Sequence, residues 1–148
     1  MEEDATAALL RGASASLDRA RDEALRTMDL SPKDFRAMRA MAGVKLSQRE
    51  IGDAAGLDRT TMVALVDRLA ERELAQRRRC RIDRRRYIVT LTRRGKSALG
   101  KAEKAIAAAE EEYFRPLDDI SQSALRLALC TLTSAAEAGP QAPQSPLR

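Results

Sequence analysis

The segment Ser47–Asp58 constrains this chain more than any other, because a helix start, a helix stop and a second helix start come one after another within it. Ser47-Gln48-Arg49-Glu50 reads as a capping box, in which the Ser hydroxyl accepts from the Glu amide and the Glu carboxylate reaches back to the Ser amide. Ala54-Ala55-Gly56 comes next, and Gly is the residue that most readily closes a helix in the left-handed conformation. Asp58 then offers an N-cap for a further helix from Arg59 to about Glu73. Two short helices joined by a tight turn around a Gly describe a helix-turn-helix. On the second helix Met62, Leu65, Val66 and Leu69 share one face and suit a core, while Thr60, Thr61, Ala64, Asp67, Arg68 and Glu71 share the other. Short polar residues near the start of such a helix let it approach the floor of a DNA major groove, where bulky ones would hold it off. Thr60 and Thr61 meet that need, although the pattern alone also fits a generic pair of surface helices.

The arginine-rich segment after this helix pair narrows the choice. Between Gln76 and Arg86 stand seven arginines and one acid, Asp83. Extended to Lys96 the segment carries +9, whereas the whole chain of 148 residues carries only +5 and the remainder nets −4. Such a compact basic segment on a mildly acidic body is an electrostatic footprint for a polyanion. A disordered basic tail is excluded, because the run passes directly into Tyr87-Ile88-Val89-Thr90-Leu91, a β-type stretch with alternating faces. The expected order is therefore helix-turn-helix, strand over Leu74–Arg78, basic tip over Arg79–Arg84, and return strand over Arg85–Leu91, which is a winged helix. Arginine at a wing tip suits the narrow minor groove, where the negative potential is deepest.

Elsewhere the periodicity is helical. Thr6–Met28 has apolar residues at helical spacing, broken at Asp29-Leu30. Ser31-Pro32-Lys33-Asp34 supplies an N-cap, a Pro at the first helical position and an early acid for a helix that Gly43 ends. After the wing, Thr92 caps a long helix to about Arg115, with Ala102, Ile106 and Ala109 in its stripe. Pro116 ends or kinks it, and a last helix spans Ser121 to Glu137 with Leu125, Ala128, Leu129 and Leu132 on one face. The Pro-rich segment from Gly139 is expected to be disordered. Terminal helices with this much apolar surface exceed what one small winged helix can cover, so a second copy of the chain is the economical partner.

Absences restrict the chemistry. The chain has no His, which removes the commonest general base and transition-metal ligand. Cys80 and Cys130 stand too far apart in sequence for a CxxC pair or a Cys-rich zinc site. Cys130, among Leu127, Leu129 and Leu132, reads as a buried small hydrophobe. Cys80, flanked by Arg79 and Arg81, has the surroundings of a reactive thiolate, with an incidental exposed cysteine as the plainer interpretation. No acid/base constellation points to an enzyme, and no cofactor is implied. No apolar run approaches the ~20 residues of a membrane span. The N-terminus is acidic where a signal peptide is basic. A cytoplasmic protein is expected.

Taken together, these pieces resemble the MarR family of winged helix-turn-helix transcriptional regulators. The resemblance is carried by Leu30-Ser31-Pro32, Leu46-Ser47-Gln48-Arg49-Glu50-Ile51, Leu57-Asp58-Arg59-Thr60-Thr61, Leu65-Val66-Asp67-Arg68-Leu69, the Asp83-Arg84-Arg85 wing motif and Leu91-Thr92-Arg93-Arg94-Gly95. It implies a mainly α fold with a dimerisation helix over 1–30, a winged helix-turn-helix over 31–92, dimerisation helices over 93–138 and a tail over 139–148. It also implies a homodimeric repressor of palindromic duplex DNA, with Asp83 orienting the wing and Arg85 entering the minor groove. The DNA-contacting set expected from motif and pattern is Ser47, Gln48, Arg59, Thr60, Thr61, Ala64, Arg68, Arg77, Arg78, Asp83, Arg84 and Arg85. A small aromatic or anionic effector between the dimer helices and the winged helix is a further implication, with Phe35, Met38 and Arg39 as candidate contacts. Three departures stand out. Val63 and Ala64 replace the polar residue and Arg often found there, the wing tip reads Arg79-Cys80-Arg81, and the cysteine and histidines of the family's peroxide- and zinc-sensing branches have no counterpart. Alternatives from other classes are a sequence-indifferent architectural DNA protein, a winged helix that binds RNA or protein, and a redox-responsive regulator acting through Cys80.

Overall fold

A computed structural model describes residues 2–43, 46–80 and 87–137. Its elements run α1 (Glu2–Arg26), α2 (Pro32–Gly43), β1 (Leu46–Ser47), α3 (Gln48–Ala55), α4 (Arg59–Glu71), β2 (Ala75–Arg79), β3 (Tyr87–Leu91), α5 (Arg93–Phe114) and α6 (Asp119–Glu137). The fold is mainly helical with one small antiparallel sheet in the order β1-β3-β2, the winged-helix arrangement expected from the sequence. No helix among the described residues is long and apolar enough to cross a membrane. The expected tail, 139–148, lies outside the described residues.

The helix ends are set by local chemistry. Three helices close in the same way, through a residue with positive φ whose successor's amide reaches back five residues. In α1 this is Asp29 at φ 55°, with Leu30 N–H donating to Leu25 O at 3.1 Å. In α3 it is Gly56 at φ 65°, with Leu57 N–H donating to Gly52 O at 2.8 Å. In α4 it is Glu73 at φ 57°, with Leu74 N–H donating to Leu69 O at 2.8 Å. Each closure satisfies carbonyls that the helix would otherwise leave open. Leu25, Leu30, Leu69 and Leu74 are all buried, so the α1 and α4 stops are also anchors into the core.

The chain divides into two compact units, Met1–Glu111 and Glu112–Arg148. The core of the first is continuous, with Leu25 of α1, Phe35, Met38 and Met41 of α2, Ile51 of α3, and Met62, Leu65, Val66 and Leu69 of α4. Val89 and Leu91 of β3 and Leu99, Ala102 and Ile106 of α5 complete it. The apolar stripe assigned to the second helix of the pair is therefore the buried face of α4. The start of α5 is bolted to the α4–β2 turn. Thr92 N–H donates to Leu74 O at 3.0 Å, the Thr92 hydroxyl donates to Glu73 O at 2.6 Å, and the same hydroxyl accepts from Gly95 N–H at 3.0 Å. Gly95 is needed here by contact, since a Cβ on it would stand 1.9 Å from Leu74 O.

The second unit is built around α6. Asp118 caps it by accepting from Ser121 N–H at 2.8 Å, and Gln122 Nε2 donates to the carbonyls of Leu117 at 3.0 Å and Phe114 at 3.3 Å. Ile120, Leu125, Leu127, Leu129 and Leu132 of α6 are exposed. Cys130 is exposed too, which corrects the expectation that it is buried. Its leucine neighbours on α6 are themselves uncovered within the chain.

Two sequence expectations about strands need revision. Leu46-Ser47 opens α3 as expected, with Ser47 as its N-cap, but also forms β1, which was not expected, and pairs with Val89 and Ile88 of β3. The first wing strand starts one residue later than expected, β2 pairing Ala75 with Leu91 and ending at Arg79 opposite Tyr87, while Arg85 and Arg86 of the expected return strand lie outside the described residues.

Candidate nucleic-acid interface

The site is a helix-turn-helix flanked by a basic two-stranded ribbon. α3 begins with the full capping box, Ser47 N–H donating to Glu50 Oε2 at 2.7 Å and Glu50 N–H donating to Ser47 Oγ at 3.3 Å. Its first turn and that of α4 border one open groove of about 830 Å³, lined among others by Ser47, Gln48, Arg49, Arg59, Val63 and Tyr87. Helix N-termini present unsatisfied amides and the positive end of the macrodipole, a setting that favours phosphate.

α4 opens on Asp58, which accepts from Thr61 N–H at 2.9 Å and from the Thr61 hydroxyl at 2.6 Å. The hydroxyl bond first, and the amide bond next, hold the Asp58 carboxyl below its ordinary pKa. Thr60 is exposed and Thr61 half-buried, so Thr60 faces outward while Thr61 serves the cap. Val63 and Ala64 are exposed one turn further along.

Two ion pairs fix α4 to its surroundings. Arg68 pairs with Asp34 of α2, whose side chain is only 3% exposed. Asp34 also accepts from Ser31 N–H at 2.8 Å and from the Ser31 hydroxyl at 2.7 Å, so this buried carboxylate is fully engaged. Asp67 pairs with Arg77 of β2 at 2.5 Å, joining the outer face of α4 to the ribbon. At the C-terminal end of α4, Arg72 donates to Asp29 O at 2.5 Å and Met28 O at 3.3 Å, capping the close of α1.

The expected contact residues thus divide. Ser47, Gln48, Arg59, Thr60, Thr61 and Ala64 cluster at the starts of α3 and α4 and along the outer face of α4. Arg68 lies apart from them, in a second cleft with Arg26, Asp29, Ser31, Asp34 and Arg72. Arg77 is on the ribbon with its charge engaged by Asp67, whereas Arg78 donates to neighbouring Gln76, at 3.2 Å. Arg79 lies over the Tyr87 ring at 5.9 Å. Asp83, Arg84 and Arg85 lie outside the described residues. Of the effector candidates, Met38 is fully buried and Phe35 nearly so. Both belong to the core, where α2 packs against α3 and β3. Arg39 is exposed and covers the Phe35 ring at 5.7 Å. Cys80 is half-buried.

Sequence reasoning missed both ion pairs and the Arg72 cap. Their partners are far apart along the chain, and a lone Asp or Arg on a helix carries no signal of its distant partner. Only Asp34 had a local hint, as the acid of the Ser31-Pro32-Lys33-Asp34 helix start.

Comparisons with known proteins agree with this architecture. A family model described as the MarR family matches residues 28–86, from the close of α1 through the helix-turn-helix and β2. A Thauera aromatica protein assigned to transcriptional regulation of the hcr operon is 32% identical over 80 residues, covering 54% of this chain and 48% of that protein. The chain thus spans about half the length of that relative. The crystal structure of the PcaV transcriptional regulator from Streptomyces coelicolor is 27% identical and superposes with a TM-score of 0.69, over 84% of this chain and 95% of PcaV. A MepR variant from S. aureus shares the fold with a TM-score of 0.81 at 19% identity, over 88% of this chain and 97% of that one. Residues 28–86, which hold the helix-turn-helix and β2, thus match the MarR family, and the winged-helix fold is the one these regulators share.

Proposed function

We propose that this protein is a transcriptional regulator that binds duplex DNA as a homodimer and represses the genes beside its site. The observation that carries this is α4 itself. Its apolar face is buried, its outer face bears short side chains, and the adjoining β2 brings Arg77, Arg78 and Arg79 alongside it. A helix of that shape fits a major groove, and the basic ribbon would follow the backbone into the neighbouring minor groove. Dimerisation is supported by the exposed leucines of α6 and by Leu9 and Leu10 of α1, which are 73% and 45% exposed. Two-fold symmetry would then set two copies of α4 on successive major grooves of a palindrome. Asp83 and Arg85 take their wing roles from the family motif, so Arg85→Ala is expected to weaken binding most among single wing substitutions.

Small-molecule release of DNA is part of the proposal. PcaV has been crystallised in complex with its natural ligand. In this chain the cleft of about 370 Å³ lined by Arg26, Arg68 and Arg72 together with Asp22, Asp29 and Asp34 is the candidate site for a small polar effector. In-vitro selection of DNA from a random pool, then titration of the selected and scrambled duplexes at two salt concentrations, tests the central claim. A regulator gives a palindromic consensus and a large affinity ratio. A ratio near one, with the same steep salt dependence, would instead identify a sequence-indifferent architectural protein.

A further inference from the structure

We propose that α4 reads thymine 5-methyl groups, through Val63 and Ala64, and that the protein's DNA site carries thymines at the positions beneath them. The proposal rests on the assignment of α4 to a major groove and adds what it recognises there.

Thr60, Val63, Ala64 and Asp67 stand at the i, i+3, i+4 and i+7 spacing that places side chains on one helix face. Three of the polar groups on and around that face are already committed, which leaves Thr60 as the exposed polar neighbour one turn before Val63 and Ala64. The Thr61 hydroxyl donates to Asp58, Arg68 is paired with Asp34, and Asp67 holds Arg77 at 2.5 Å. Between them the helix presents Val63, a β-branched apolar side chain 40% exposed, and the methyl of Ala64. In the major groove every base pair displays hydrogen-bonding edges, and the thymine methyl is the one apolar group among them. Val63 pressed against any other edge would strip water from donors and acceptors without replacing their bonds, which costs binding. Against a thymine methyl it buries carbon on both sides. Selection therefore comes from attraction to thymine and from rejection of the other bases.

The test replaces single thymines by uracil in the selected duplex, which removes only the 5-methyl group and leaves pairing unchanged. Each methyl under Val63 or Ala64 is expected to change affinity about threefold to fourfold, the value of one buried CH₂. Val63→Ser, at an exposed position where the fold is insensitive, should lose sensitivity to uracil at one position of each half-site and retain it at the other. Circular dichroism of the variant checks that α4 is intact. Specific binding that is indifferent to uracil overturns methyl readout while the DNA-binding assignment stands. Uracil sensitivity that is unchanged in Val63→Ser also overturns it, since another residue would then be the reader. Failure to select or bind any duplex removes the DNA-binding assignment and the proposal together.

Discussion

Gly95 shows how a single residue can be determined by a neighbour distant in sequence. Its missing Cβ leaves room for the Leu74 carbonyl, and both Leu74 O and Leu74 C would be struck, at 1.9 and 2.8 Å. Backbone cannot yield as a side-chain tip can, so Gly95→Ala should cost about 3 kcal/mol. A denaturant titration reading a midpoint close to wild type would show that α5 can lift away freely. Asp34 is the second such residue. Its removal leaves Arg68 without its partner and takes away the reciprocal bonds at the start of α2. Asp34→Ala should therefore destabilise by about 3 kcal/mol, with Asp34→Asn intermediate because an amide oxygen can still accept from Ser31. Asp58 supplies a pH signature. Its folded pKa is depressed by the two Thr61 bonds, so its stabilising effect is complete above the ordinary carboxylate value of 3.8 and is lost as pH falls through the depressed native value. Asp58→Asn should flatten that part of the acid limb in a pH series of thermal melts.

At the scale of elements, the Asp67–Arg77 pair decides which ribbon cations are available to DNA. Both side chains are partly exposed, 50% and 33%, so the pair contributes at most about 1 kcal/mol to stability. Its larger effect is to neutralise Arg77. Asp67→Asn should leave the melting curve almost unchanged, tighten DNA binding and steepen the salt slope by about one unit as Arg77 is released to a phosphate. Arg77→Ala alone should change the slope less than Arg78→Ala, and titrations at several salt concentrations compare them. Helix positions were legible in the sequence because caps and stops are local: Ser31, Ser47, Asp58 and Thr92 each act on amides within three residues. β1 was not legible. Leu46 and Ser47 extend only because β3 offers them Val89 and Ile88, while Ser47 serves at the same time as the cap of α3.

For the whole molecule, the apolar surface of α6 is the feature that one chain leaves unresolved. Leu125, Leu129 and Leu132 keep helical spacing and stay exposed, at 36%, 38% and 59%. In the proposed dimer, Leu129→Glu together with Leu132→Glu removes two buried leucines from each copy, about 6 kcal/mol at roughly 1.5 kcal/mol per side chain. Sedimentation at micromolar concentration should then report single chains, and affinity for a palindrome should fall towards that for one half-site. A variant that remains dimeric would place the interface elsewhere.

The punctuation of the chain and the buried stripe of α4 are both local or periodic properties, so the residue order alone specifies them. That is why the helix-turn-helix and the basic ribbon could be read directly. The partners of charged side chains are different in kind. Arg68, Arg72 and Arg77 sit on outward-looking positions, and sequence pattern offers each of them equally to solvent, to phosphate or to protein. Only the packing of α2, the close of α1 and the outer face of α4 against their neighbours brings Asp34, the Asp29 carbonyl and Asp67 within bonding distance, and so removes Arg68 and Arg77 from the cations presented freely to a partner. Coulomb attraction between groups ten or more residues apart becomes specific only when the fold has set their separation.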